Sequence, residues 1–479
     1  MKTWNRKGIY FGQTPHSTTL ELQISPTDMF SVLSEHCENA FLLESSEGAE
    51  KLARFSFLGF SPKKHIRLKN GIINIEGNTD GTTGNSEYEI KNNNPLSELK
   101  KQIGTNTLNT PGFLGGAVGY FSFDYIRYVE EFRTQLKDEI SFPDFEFGIF
   151  DDAIVYDHKN GSIRYLYYGN DGGRLNEIKQ YIRDSSFETK RFEMFNKKCN
   201  VSKERFCKMV EEAKEHIRAG DIFQTVLSKR YEIRYAGSMM PFYRKLKATN
   251  PSPYMFYIKF GEREVIGSSP ENLIRVEGRE LTSYATLAGT RPRGKTETED
   301  TRLETELLND EKERAEHLML VDLTRNDIGK ISVPGTVKVP EFMSVHKYSD
   351  VQHIASVVTG RLADGKDSFD AFSSIFPAGT VSGAPKVRAI EIIDKLEGTK
   401  RGPYAGAVGY FSANGNADFA IGIRTLFARK GSAYIQTGAG IVYDSVPEKE
   451  FDETEGKARA LLQAIGVEKY EAALNGGRR

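Results

Sequence analysis

The chain has 479 residues, 38% of them apolar and 27% charged, which allows a sizeable core and argues against global disorder. Its 65 basic residues balance 66 acidic ones, for a formal charge of -1, so wholesale binding of nucleic acid is excluded as a first reading. Three scattered cysteines suit a reducing cytosol, the first residues carry no apolar leader, and no run approaches the roughly 18 apolar residues of a membrane span, so a cytoplasmic, non-membrane protein is expected.

The length suggests two domains or one duplicated unit, and 44 Gly, 30 Phe and 22 Tyr favour a β-rich fold. Ile66–Ile75 reads as a hairpin turning at Asn70-Gly71, and Ala153–Tyr168 as another turning at Asn160-Gly161. Between them the polar run Asn78–Asn94 reads as a surface loop. A helix is expected over Gly173–Asp184. The polar run Ser185–Asn200 then reads as a linker between an N-terminal domain (1–190) and a C-terminal one (200–468), whose sheets are expected to interleave. Ser202 is placed to cap a helix that runs to Ala219 and carries Phe206, Met209, Val210, Ala213 and Ile217 on one face. Phe223–Tyr231 follows as a strand. Gly116–Ser122 and Gly406–Ser412 are the same heptapeptide, Gly-Ala-Val-Gly-Tyr-Phe-Ser, which points to a duplicated unit with a shared core.

Gly289–Thr296 fits the pattern GxxxxGK[ST], whose backbone amides cradle phosphates while the lysine, here Lys295, reaches them. The surrounding hairpins argue against the buried parallel sheet such a loop needs, and Leu318–Asp322 continues a helix rather than forming a central strand. A P-loop ATPase is therefore only a runner-up. Glu306, Asp310, Glu313 and Glu316 fall on one helical stretch that leads into the apolar segment His317–Asp322. Glu313 and Glu316 share a face, as do Glu450 and Glu453, with Lys457 one turn on. Two such pairs could hold Mg²⁺ through oxygen ligands, whereas no Cys/His cluster has zinc spacing. Ser382 is an expected N-cap, and the helix behind it a candidate anion site.

These motifs occur together and in order. Ile217–Ser228, Ser269-Pro270-Glu271, Ala288–Gly294, Lys312–Leu323, Arg325-Asn326-Asp327, Pro377–Lys386, Ile423-Arg424-Thr425 and Gly438–Val442 through Lys457 resemble the chorismate-utilising enzymes. Leu42–Ser45 and Gly115–Glu130 carry the resemblance into the first half. The chain is most similar to the members that make anthranilate. The resemblance implies an α+β fold, a two-domain antiparallel β-sandwich with flanking helices. It also implies that chorismate and ammonia become anthranilate and pyruvate through aminodeoxyisochorismate, the first committed step of tryptophan biosynthesis. Water-using members carry a lysine base where this chain has Gln224, and aminodeoxychorismate synthases a nucleophilic lysine where it has Ala288. Glutamine takes no proton and alanine forms no covalent bond, so both positions point to direct attack by ammonia at C2.

By matched position, the resemblance makes Glu271 the general acid for the C4 hydroxyl and lets His353 assist C2 proton removal. Thr290, Gly289, Lys457 and the Gly438-Ala439-Gly440 backbone would position the ring carboxylate, and Tyr404 and Arg424 the enolpyruvyl carboxylate. Glu316 and Glu453 would bind Mg²⁺, with Glu313 and Glu450 behind them. No cysteine lies in a Gly-x-Cys-x-Gly setting, so the implied glutamine amidotransferase is a separate subunit of a hetero-oligomer. Glu44, Ser45, Pro251, Tyr254, Met255 and Phe256 match the family's site for L-tryptophan as inhibitor, with Glu44 expected near the ammonium. Thr286 departs from the family's usual proline. The sequence also leaves open an aminodeoxychorismate synthase, which Ala288 disfavours, and a non-catalytic regulator that binds tryptophan.

Overall fold

A computed structural model describes residues 11–45, 54–79, 82–89, 94–132, 135–169, 173–185, 191–284, 288–347 and 351–466. The first hairpin turns as expected. Asn70 and Gly71 lie at φ 50° and 80°, the left-handed pair that matches the twist of the flanking strands.

The first half contains β1 (His16–Thr19), α1 (Pro26–His36), β2 (Asn39–Glu44), β3 (Phe55–Phe60), β4 (Lys64–Lys69), β5 (Ile72–Thr79), β6 (Thr82–Glu89), α2 (Pro95–Gln102), β7 (Gly116–Phe121), β8 (Phe145–Phe150), β9 (Asp152–Asp157), β10 (Ser162–Tyr167) and α3 (Arg174–Asp184). The second half opens with β11 (Phe192–Cys199), α4 (Lys203–Arg218), β12 (Gln224–Gly237), α5 (Met240–Thr249), β13 (Tyr254–Phe260), β14 (Arg263–Ser269), β15 (Asn272–Glu277) and β16 (Glu280–Ser283). Next come β17 (Ala288–Pro292), α6 (Glu297–Asn309), α7 (Glu311–Gly329), β18 (Lys338–Lys347), β19 (Val351–Arg361), α8 (Ser368–Ile375), β20 (Gly383–Ala384) and α9 (Lys386–Glu397). It closes with β21 (Ala407–Ser412), β22 (Ala417–Ile421), β23 (Thr425–Arg429), β24 (Ser432–Ile441) and α10 (Pro447–Ile465).

These strands form two antiparallel 12-stranded sheets. One runs β1-β10-β9-β3-β2-β13-β14-β23-β24-β12-β11, with β20 on β12. The other runs β17-β19-β16-β15-β22-β21-β7-β8-β4-β5-β6, with β18 on β19. Each order repeats outward from its middle. In the first sheet β2, β3, β9, β10 and β1 answer β13, β14, β23, β24 and β12. In the second, β7, β8, β4, β5 and β6 answer β21, β22, β15, β16 and β19. Both sheets therefore draw strands from either side of residue 190.

The repeated heptapeptides form the middle strands β7 and β21, which pair with Gly119 opposite Gly409. A Cβ at either glycine would stand 2.0 Å from a carbonyl oxygen, of Glu146 and Asp418 respectively. Only glycine lets these strands lie so close to their neighbours. Phe41, Phe57, Phe113, Phe150 and Tyr410 interlock in the core. Met29, Phe30, Tyr243, Leu246 and Leu461 pack α1, α5 and α10 into a second apolar cluster with strands of the first sheet. Phe372 of α8 lies on Phe121 of the second, with ring centroids 4.2 Å apart.

Two polar runs differ from expectation. Asn78–Asn94 contains β6, zipped to β5 from Thr79↔Thr82 to Ile72↔Glu89. Ser185–Asn200 contains β11, paired to β12 along the edge of its sheet. Backbone pairing defines both strands, and edge strands need little apolar alternation. Among the described residues, no helix is long and apolar enough to cross a membrane.

Candidate active site

The acidic stretch divides into two helices rather than one. Asp310 caps α7, accepting from the Lys312 and Glu313 N–H groups at 3.1 and 3.2 Å, and Glu306 is left on α6. Helix α7 carries Glu316 to the start of β12, where Gln224 Nε2 donates to Glu316 Oε1 at 2.9 Å. Gly440 of β24 lies against the same pair, and a Cβ there would stand 2.8 Å from Gln224 Nε2 and 3.5 Å from Glu316 Oε1. At Gly438 a Cβ would stand 2.7 Å from the Tyr404 hydroxyl. Ala439 between them is fully buried. From α10, Lys457 Nζ donates to Gly438 O at 3.0 Å and pairs with Glu453 at 2.7 Å. Residues far apart in sequence thus converge at one end of the β12–β24 ladder.

The electrostatics of this cluster suit a cation. Burial, then the charges of Glu313 and Glu453, push the Glu316 carboxyl up to about 7. Burial and Asp310 raise Glu313, and burial and Glu453 raise Glu450. Such carboxylates fit a hard divalent ion. Among the described residues, no three His, Cys, Asp or Glu side chains are arranged to hold a metal alone. Glu316 and Glu453 would leave coordination positions for substrate or water.

His353 of β19 bonds through Nδ1 to Gly289 O at 3.1 Å. A carbonyl only accepts, so Nδ1 carries the proton and Nε2 the lone pair. Burial, with the charges of Arg424 and Lys457 adding, pushes the ring down to about 4. The imidazole is therefore neutral at pH 7 and able to take a proton. Arg424 at φ 47° and Ala405 at φ 60° are left-handed without being glycine, strain of the kind that collects at functional sites. The side chains of Ala288 and Thr290, and Thr286 altogether, lie outside the described residues.

Glu271 sits between β14 and β15, 4% exposed. It lines a small cavity with Leu320 and Thr324, one and two turns beyond Glu316 on α7. Ser382 does not cap α9. Pro385 holds that position, and Ser382 Oγ donates to Ala378 O at 2.7 Å. The first residue of α9, Lys386, donates to Asp327 at 2.8 Å and to Ile375 O at 2.9 Å. The GxxxxGK[ST] segment is also filled from within. The Gly294 and Lys295 amides donate to Asp300 and Glu299, both at 2.8 Å, and β17 is antiparallel. That geometry removes the P-loop reading.

A cavity of about 360 Å³, the size of a small-molecule site, is lined from both sheets. Glu44, Ser45, Tyr254, Met255 and Phe256 line it, as does Pro253, whose carbonyl accepts from Ser45 Oγ at 2.7 Å, whereas Pro251 does not. The Glu44 carboxylate is bonded to Lys247 at 2.6 Å and Tyr243 at 3.0 Å, so its charge is already met within the protein. Arg275, Tyr410 and Asp418 also line the cavity; Tyr410 falls within the repeated heptapeptide, whereas no sequence motif contains Arg275 or Asp418. Their one sequence signal is Asp418, a charge interrupting the apolar strand Ala417–Ile421.

The profile of chorismate binding enzymes matches residues 38–463. The chain belongs to this family. It is 47% identical to anthranilate synthase component 1 of Methanothermobacter marburgensis over 96% of each chain. It is 44% identical to that of Saccharolobus solfataricus, over 92% of this chain and 97% of the relative. The crystal structure of anthranilate synthase component I from Streptococcus pneumoniae superposes with a TM-score of 0.76, at 38% identity, covering 87% of this chain and 93% of the other. The menaquinone-specific isochorismate synthase of Escherichia coli, at 18% identity and a TM-score of 0.70 over 94% and 95% of the two chains, shares the fold.

Proposed function

We propose that the chain is the chorismate-converting component of an anthranilate synthase, turning chorismate and ammonia into anthranilate, pyruvate and water through aminodeoxyisochorismate. Gln224 carries this reading. Its amide meets Glu316 and Gly440 where a water-using enzyme needs a base, and an amide cannot accept a proton. Ammonia brings its own lone pair. It bonds to C2, the ring double bonds shift, and the C4 hydroxyl departs as water on a proton from Glu271. The C2 ammonium gives up one proton to become the amine, His353 Nε2 takes the C2 proton as the ring C3–O bond breaks, and the enolate that leaves gains a proton at its methylene carbon to become pyruvate. Lys457, Thr290 and the backbone of Gly289 and Gly438–Gly440 hold the ring carboxylate. Tyr404 and Arg424 hold the enolpyruvyl carboxylate, Arg424 by its planar fork. Glu316 and Glu453, backed by Glu313 and Glu450, are the residues that would hold Mg²⁺, which when bound offsets the charge of the ring carboxylate.

The reading extends to partners. A separate glutamine amidotransferase delivers the ammonia in a cytoplasmic hetero-oligomer, in keeping with the name component 1 borne by the relatives. Tryptophan occupies the inter-sheet cavity as feedback inhibitor, its indole against Leu43, Phe57, Met255 and Phe256.

The test mixes purified chain, chorismate, Mg²⁺ and an ammonium salt at mildly alkaline pH and follows anthranilate fluorescence. A rise that EDTA stops is expected, and Glu271→Gln lowers it by a factor on the order of 10²–10⁴. Consumption of chorismate without anthranilate would overturn the reading of Gln224.

A further inference from the structure

The backbone that carries Glu271 is tied to the wall of the inter-sheet cavity. Its neighbour Asn272 is 1% exposed. Asn272 Nδ2 donates to the Tyr254 hydroxyl at 2.8 Å, to Asp418 Oδ1 at 3.1 Å and to Phe419 O at 3.2 Å. Its Oδ1 accepts from the Tyr284 N–H at 3.3 Å. The Tyr254 hydroxyl in turn donates to Asp418 Oδ1 at 3.0 Å. Tyr254 and Asp418 are walls of the 360 Å³ cavity, whereas Asn272 lies behind them and lines the small cavity that Glu271 faces.

The strand is irregular at this point. The β15–β22 register shifts between Asn272 and Ile274, and the Asn272 bond to Phe419 O spans the shift. In the peptide between the two residues, the Glu271 carbonyl accepts from the Ile421 N–H at 3.0 Å. Bulges beside active sites re-aim side chains. The aim of Glu271 therefore depends on an amide that also bonds two walls of the cavity, Tyr254 and Asp418. The amide's two N–H hydrogens are shared among three acceptors, so a change at the Tyr254 hydroxyl redistributes them onto Asp418 Oδ1 and Phe419 O, the bond that spans the register shift.

We infer that Asn272 positions Glu271 and transmits occupation of the inter-sheet cavity to it. A ligand packed against Tyr254 and Asp418 alters their bonds to Asn272, the bulge shifts, and Glu271 loses its alignment with the C4 hydroxyl. A displacement of about 1 Å is enough to cost roughly 10² in rate. The inference rests on the reading that the cavity takes tryptophan.

Calorimetric titration with tryptophan and ammonia-dependent anthranilate formation are measured side by side on the full chain, Asn272→Ser and Tyr254→Phe. Asn272→Ser is expected to bind tryptophan within about 3-fold of the parent. The factor by which saturating tryptophan lowers its kcat/KM should fall at least ~5-fold. Tyr254→Phe keeps the ring and removes only the hydroxyl, and the same uncoupling is expected. Either variant binding tryptophan and remaining inhibited to the parent's extent would overturn the inference while leaving the regulatory reading intact. Absence of tryptophan binding to the parent would instead sink the regulatory reading, and the coupling with it. Should Asn272→Ser fail to fold, Tyr254→Phe decides, and should Tyr254→Phe fail to bind, Asn272→Ser decides.

Discussion

In the proposed reaction two residues matter by what they cannot do: Gln224 cannot take a proton, and burial disfavours a lasting charge on His353. Gln224→Lys would place an ammonium about where the amide now lies 2.9 Å from Glu316. The new ion pair would pull the Glu316 carboxyl down from about 7 and occupy an expected cation ligand. Anthranilate formation is expected to fall at least ~10-fold, with a hydroxylated product of chorismate appearing on chromatography as the lysine activates water. Anthranilate made at the parent's rate would refute the role of Gln224. The folded His353 ring, at about 4, lies below its unfolded value of about 6.5, so the unfolded chain binds the extra proton. The neutral ring's contribution is present above pH ~6.5 and is lost as the pH falls towards 4, by ~3 kcal/mol at most. His353→Asn should flatten that part of the stability profile in urea titrations. It should also leave chorismate consumption ahead of anthranilate release, as the amino intermediate accumulates. Gln224 is legible in the sequence because it sits in the dense run Ile217–Ser228, whereas His353 lies outside every matched run and is reached only through the resemblance by position. Arg275 and Asp418 are not legible, since they meet across 143 residues and only strand pairing brings them together.

At the scale of elements, chemical punctuation is readable and edge pairing is not. Ser202 caps α4 as its hydroxyl predicts, accepting from the Arg205 N–H, and the Asn-Gly turns fold as hairpins. Asp310 escapes notice as a cap because no glycine or proline separates it from α6, and β6 and β11 escape notice because polar edge strands lack apolar alternation. Strands β7 and β21 behave differently. Their identical sequences mark them as important, but not as side by side. That pairing makes a sharp prediction. Gly119→Ala and Gly409→Ala each place a methyl 2.0 Å from a carbonyl oxygen in the middle of the sheet. Each should cost upwards of ~3 kcal/mol by urea titration, or prevent soluble expression. Gly220→Ala, where nothing lies within 4 Å of the added methyl but φ is 79°, separates backbone strain from crowding and should cost only ~1 kcal/mol. Equal losses at all three positions would show that crowding between strands is not the constraint.

The whole molecule is two copies of one strand pattern joined edge to edge, and function enters where the copies differ. Among the described residues, the first copy holds β6 and α2 between the counterparts β5 and β7, whereas the second holds β17 through α9 between β16 and β21. Of these, β19 is the counterpart of β6 and carries His353, while the added elements β17 and α7 bring Gly289, Glu313 and Glu316 to strands of the shared pattern. The copies also diverge at the cavity. In the first, the Tyr120 hydroxyl donates to the fully buried Glu146 at 2.7 Å, and Arg263 and His65 close the space. In the second, Tyr410 and Asp418, paired across β21 and β22 as Tyr120 and Glu146 are across β7 and β8, open onto the 360 Å³ cavity. Neither copy is a free-standing body. A chain of residues 200–466 would expose the edges of β13 and β21, which now pair with β2 and β7 and are largely apolar. That fragment is expected to aggregate or to show no cooperative melting, and co-expression with residues 1–190 to restore both solubility and anthranilate formation. The intact chain should melt in one transition, with calorimetric and van't Hoff enthalpies in agreement, because no plane through the molecule separates the halves without cutting both sheets. Two resolved transitions, or a soluble and active 200–466 fragment, would mean that the central strand pairs contribute little and that the copies fold as separate domains.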